Sequence, residues 1–95
     1  MTQAPTIADG TLTLPRTLTL AEATPLASVL KENAGAPLSV DASSVDHLGA
    51  QCLQVLLAAA QSWRAAGHPL TLTHSSAAFT EGLTRLGVSQ DALTA

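Results

Sequence analysis

Asp41, Ser43, Ser44, Asp46 and His47 fall within seven positions of one another, just after the apolar run Leu38 to Val40 and just before a helical pattern that begins beyond Gly49. Carboxylates, hydroxyls and an imidazole so close together could hold a proton relay, a nucleophile, a phosphorylation site or a polar contact for a partner. A strand that feeds a helix through such a turn leaves backbone N–H groups and hydroxyls at the carboxyl edge of a sheet, where open α/β folds place their sites. Catalysis finds little support. No glycine-flanked nucleophile turn accompanies the serines, and no Gly-x-x-x-x-Gly-Lys loop is present to cradle a phosphate. His47, His68 and His74 stand in separate turns or strand ends without helical His-x-x-x-His spacing, so neither a metal nor another cofactor is expected. Asp41 and Ser43 have the residue types that fold back on turn backbone, and a structural role is expected for both.

The elements that must position this turn follow from hydrophobic periodicity. Residues 1–9 read as a flexible N-terminus and residues 10–95 as one domain, which suits a chain of 95 residues. Thr11-Leu12-Thr13-Leu14 and Thr17-Leu18-Thr19-Leu20 alternate polar with apolar across Pro15-Arg16 and predict a short antiparallel pair. Thr24-Pro25 reads as an N-cap followed by proline at the first helical position, with a stop near Asn33-Ala34-Gly35. A strand over 38–41, a helix over 50–66 ended by Gly67, and a strand over 70–73 come next. A last helix, capped by Ser75 or Ser76, should carry Phe79, Leu83 and Leu86 on one face. The order is β-β-α-β-α-β-α, an α/β fold with about four strands in a mixed sheet and about three helices mainly on one side.

Composition narrows the function. Four basic against seven acidic side chains give a formal charge of −3 and no basic cluster for nucleic acid. The single cysteine, Cys52, excludes an intrachain disulfide and reads as a buried thiol. With no signal-peptide pattern and no apolar run near the roughly 20 residues that span a bilayer, the reading is a cytoplasmic protein without membrane insertion. From His47 through Trp63 there is no Asp, Glu, Lys or Arg. Gln51, Gln54, Ala58, Gln61, Ser62 and Ala65 share one face of the predicted helix, with Leu53, Val55, Leu56, Leu57, Ala60 and Trp63 around the other. A partner can approach an uncharged Gln/Ala/Ser surface without desolvating an ion, so it is a candidate docking face, one that also permits weak self-association. Trp63 is expected in the core beneath the helix, with an anchor at the helix edge as the alternative.

The strand ending Asp41-Ala42-Ser43, the turn Ser44-Val45-Asp46-His47-Leu48-Gly49 and the small-residue helix behind it resemble the STAS domain of bacterial anti-sigma factor antagonists. Leu14-Pro15, Leu18 to Ala23, Val40 to Val45, Gly49 to Leu56, Ala58 to Trp63, Ala78-Phe79-Thr80 and Leu86-Gly87-Val88 are similar to the small STAS proteins of alphaproteobacterial chemotaxis gene clusters. The resemblance covers nearly the whole chain. It implies a non-enzymatic signal-transduction regulator that works by binding another signalling protein, with a chemotaxis histidine kinase as the expected partner. The partner surface it implies is Ser44, Asp46, His47, Gly49, Gln51, Gln54, Ala58 and Gln61. Laid over the family's Asp-Ser-Ser-Gly-Leu phosphorylated turn, Gly49-Ala50-Gln51-Cys52-Leu53 puts Gln51 at the phosphoacceptor position, where an amide cannot take a phosphoryl group. An anti-sigma factor antagonist that binds a serine-kinase anti-sigma factor without that switch, and an accessory subunit of a lipid-transport ATPase, are the alternatives the resemblance leaves open.

Overall fold

A computed structural model describes residues 6–94. Strand β1 (Thr6–Ala8) runs antiparallel to β2 (Thr11–Thr13), and the two-residue link Asp9-Gly10 has both φ angles positive, at 53° and 75°. Two left-handed residues in a row make the hairpin turn whose twist matches that of the strands, and Asp-Gly is a favoured pair there. The first strand therefore begins at Thr6, ahead of the expected start after Gly10. Residues 1–5 of the expected loose segment lie outside the described residues.

The predicted pairing of 11–14 with 17–20 does not form. Strand β2 has β1 on one side and, in parallel, β4 (Leu38–Ala42) on the other, so neither edge is free for a third strand. The chain instead turns at Pro15 into β3 (Thr17–Leu18), which pairs in parallel with β5 (His47–Leu48) in a second, two-stranded sheet. The main sheet is mixed and four-stranded, in the order β1-β2-β4-β6, with β6 (Leu70–Ser75) parallel to β4. The β4–β6 register shifts between Val40 and Asp41, and the extra residue Thr73 turns its hydroxyl to the Val40 carbonyl, 3.1 Å away.

Helix α1 (Leu20–Glu32) starts after Thr19, not at Pro25. Leu20-Ala21-Glu22-Ala23 are good helix formers that extend it backwards, so Pro25 sits inside the helix and leaves the exposed Ala21 carbonyl to water. Helix α2 (Ala50–Ala66) has the predicted limits and ends on Gly67 at φ 77°, with the His68 N–H returning to the Trp63 carbonyl at 3.0 Å. Helix α3 (Ala77–Arg85) is capped by Ser76, whose hydroxyl accepts from the Phe79 N–H at 3.0 Å. A 3-10 turn at Gln90–Leu93, absent from the sequence reading, buries Leu93.

Burial alternates along β2 and β4. Leu12, Leu38, Val40 and Ala42 are buried while Thr11, Ser39 and Asp41 between them are only partly so and Thr13 is exposed, which puts the helices over one sheet face. Phe79, Leu26, Leu83 and Val45 fill the core that results. Trp63 belongs to it, as expected, with its indole N–H donating to the Ala36 carbonyl at 2.8 Å. Leu86, predicted on the apolar face of the last helix, caps that helix and is exposed.

Candidate functional site

The polar turn does not feed α2 directly. After β4 the chain makes the turn Ser43-Ser44, buries Val45, and crosses β5 before Gly49 opens the helix. Asp41 accepts from the Ser43 N–H at 2.9 Å and closes the turn on itself. The hydrogen bonds from the Ser43 hydroxyl and then its N–H hold the Asp41 carboxyl below the usual carboxylate value, and the charge of His74 adds a smaller push the same way. The other end of the turn is tied to residues far back in the chain. The Asp46 and His47 N–H groups both donate to the Arg16 carbonyl, at 2.6 and 3.2 Å, and the Arg16 guanidinium donates twice to Asp46 Oδ2, at 3.0 and 2.7 Å. Ser76 reaches back from the start of α3 to donate to the Val45 carbonyl.

Helices α1 and α2 begin side by side because the strands feeding them are paired. Thr17 matches His47 and Leu18 matches Leu48, and each strand is followed by one linking residue and then its helix. The Gly49 N–H donates to the Leu18 carbonyl at 2.8 Å, and the Cys52 thiol donates to the Thr19 carbonyl at 3.2 Å. A Cβ on Gly49 would stand 2.7 Å from the Leu18 oxygen, so glycine is required here by close approach of two backbones, its φ of −87° being open to any residue. Cys52 is fully buried, and burial first, with the charge of Glu22 second, raises its thiol above the ordinary value. Glu22 is itself buried, and its Oε2 meets no hydrogen-bond partner among the described residues.

The exposed side of α2 carries Gln51, Gln54, Ala58, Gln61 and Ser62. Ten residues separate Gln51 from Gln61, so the row runs about 15 Å along the helix axis. Ser44, Asp46 and His47 are also exposed but stand ahead of the helix, Ser44 and Asp46 in the turn before β5 and His47 at its first position, with Asp46 engaged by Arg16. The residues read from the sequence thus divide into a continuous strip on α2 and a separate braced turn.

Two residues of this region are not legible from the sequence. Arg16 reads only as part of an interruption between strands, since nothing in its neighbours discloses an ion pair thirty positions away. Leu20, exposed by 72%, begins α1 beside the start of α2, and its place in a Thr-Leu alternation disguised it as a strand residue. Among the described residues no group of three or more His, Cys, Asp or Glu side chains could hold a metal ion, and no helix is long and apolar enough to cross a membrane.

In a comparison with known families, a family model described as "Mlab, STAS domain" matches residues 1–95. No curated protein and no solved structure matches the chain.

Proposed function

The chain belongs to the STAS domain family, whose members are in general non-catalytic, protein-binding regulators, and we propose that it works by docking a signalling protein against the exposed strip of α2. The observation that carries this reading is the strip itself: Gln51, Gln54, Ala58, Gln61 and Ser62 are exposed together on a helix whose sequence has no charge before Arg64. Burial of an amide and methyl surface avoids the cost of stripping water from an ion, and depletion of charge marks the cores of protein interfaces. Leu20, exposed at the head of α1, adds apolar surface where the two helices start side by side.

The partner we propose is a chemotaxis histidine kinase, on the strength of the sequence resemblance across Leu18 to Ala23 and Gly49 to Trp63. Gln51 at the position of the family's phosphoacceptor gives a contact that phosphorylation there cannot switch off. A tagged pull-down from the native cell with mass spectrometry, comparing wild type with Gln54→Glu, tests both the partner and the surface. Recovery of such a kinase with wild type and its loss with Gln54→Glu is the expected result. An anti-sigma kinase or a transport ATPase in its place would keep the docking surface and replace the partner, and a partner that survives Gln54→Glu would overturn the surface.

A further inference from the structure

Between the second half of α1 and α2 from Val55 onward lies a groove of about 280 Å³, away from the polar turn. Its walls are Ala27 and Leu30 on one side and Val55, Ala58 and Ala59 on the other, with Trp63 among the lining residues. The indole N–H of Trp63 is already spent on the Ala36 carbonyl, so the ring offers the groove only apolar surface. Two lining side chains are polar, Ser62 and Lys31, and no carboxylate lines the groove. Lys31 is exposed and has no ion-pair partner among the described residues.

We infer that this groove binds a single-chain anionic amphiphile, a medium-chain carboxylate, with its hydrocarbon along Leu30, Val55 and Trp63 and its head group beside Lys31. Size and charge both select this occupant. The volume lies just under the roughly 300–1,000 Å³ usual for small-ligand pockets. Taking a methylene as about the volume of a water molecule, roughly 30 Å³, it holds about nine or ten carbons, too few for a two-chain lipid. A neutral hydrocarbon would leave the ammonium without a counter-charge, and a polar metabolite would leave the aliphatic walls unfilled. The groove shares only Ala58 and Ser62 with the docking strip, and its occupancy does not depend on any partner there.

Trp63 is the chain's one tryptophan, so its fluorescence reports the groove directly. The probe is 3,4-dibromodecanoate below its micelle concentration, whose bromines lie next to the head group, at the end of the groove that Lys31 shares with Trp63, and quench an indole they touch, with 3,4-dibromodecanol as the neutral counterpart. Saturable quenching by the carboxylate is expected. Lys31→Met should weaken it about two- to five-fold, the range of an exposed ion pair, and leave the weaker binding of the alcohol unchanged. Ala27→Phe, which fills the groove from α1 without touching the docking strip, should weaken both probes about tenfold or more, the scale of an overpacked site. Ala58→Phe repeats the test from the opposite wall should the first variant lose its helical circular dichroism. Quenching that fails to saturate, that survives the filling variants, or that is the same for acid and alcohol and indifferent to Lys31→Met would overturn the inference.

Discussion

Gly49→Ala is the smallest change that tests how the two helix starts are held. Alanine's Cβ would stand 2.7 Å from the Leu18 carbonyl oxygen and 3.8 Å from the Thr19 Cα, where ordinary contact begins at 3.4 Å. The obstructing atom is backbone in a paired strand and cannot swing aside, so β3 and β5 must separate or α2 must shift. Overpacking of this kind costs about 1–3 kcal/mol, and alanine is also a poorer N-cap than glycine. Against this, a Gly→Ala change at an unstrained φ returns about 0.4–1 kcal/mol through the unfolded chain. The net expectation is a loss of about 1–3 kcal/mol, and at roughly 4–8 °C per kcal/mol for a domain of this size the melting temperature should fall by about 5–20 °C. Urea unfolding followed by Trp63 fluorescence measures it. Gly82→Ala is the comparison: its Cβ would meet the Leu48 side chain, with Cβ at 3.0 Å and Cδ2 at 3.3 Å, while the helix interior gains about 1 kcal/mol of propensity. It should be much the milder of the two. A Gly49→Ala protein as stable as wild type would show that the paired backbones have room to spare, and the account of the coupled helix starts would fail.

Other consequences follow from single groups. Asp41 is held below the ordinary carboxylate value, so it contributes stability above the unfolded value of about 3.9 that is lost as pH falls through the lower folded one; in an NMR titration Ser43→Ala should move its midpoint back up, and an unmoved midpoint would contradict the hydrogen-bond cause. Cys52 is raised, so the folded thiol stays protonated where the unfolded one ionises, and its contribution is intact below about pH 8.5 and declines above it. A thiol reagent at neutral pH should accordingly label Cys52 only at the rate of unfolding, and fast labelling of native protein would refute its burial. Glu22→Met removes a buried oxygen that meets no partner among the described residues and keeps the side chain's length; urea unfolding should show a stability equal to wild type or higher by about 1–3 kcal/mol, whereas a clear loss would mean that the carboxylate is satisfied in solution.

The parts of the fold that were legible in the sequence are those set by a strong local signal. Helix α2 has no proline, an apolar stripe and a terminal glycine, and it forms over the residues expected, with its Gln/Ala/Ser row outward and Cys52, Leu56 and Trp63 inward. The Asp9-Gly10 turn is an equally local signal, but the polar residues before it read as a loose end rather than as half of a hairpin. What was not legible depends on competition. Thr11-Leu12-Thr13 and Thr17-Leu18 look alike and would pair well, yet β4 occupies the edge that β3 would need. Thr24-Pro25 is a sound helix start, but the residues before it continue the helix better than they make a strand. Period-two alternation states that a segment is half buried and is silent about its neighbour.

The same competition builds the candidate site. Once β3 is excluded from the main sheet, its pairing with β5 sets positions 16–20 beside 46–50, and every link there joins residues about thirty apart: Arg16 to Asp46, Leu18 to Gly49, Thr19 to Cys52. Most of these links are backbone hydrogen bonds, and the one ion pair among them is more than half exposed at both ends, worth at most about 1 kcal/mol. The position of Gln51 therefore rests on chain pairing and on the close approach at Gly49 rather than on charge. The proposed docking surface at the head of α2 is thus one that salt and modest changes of pH should leave in place.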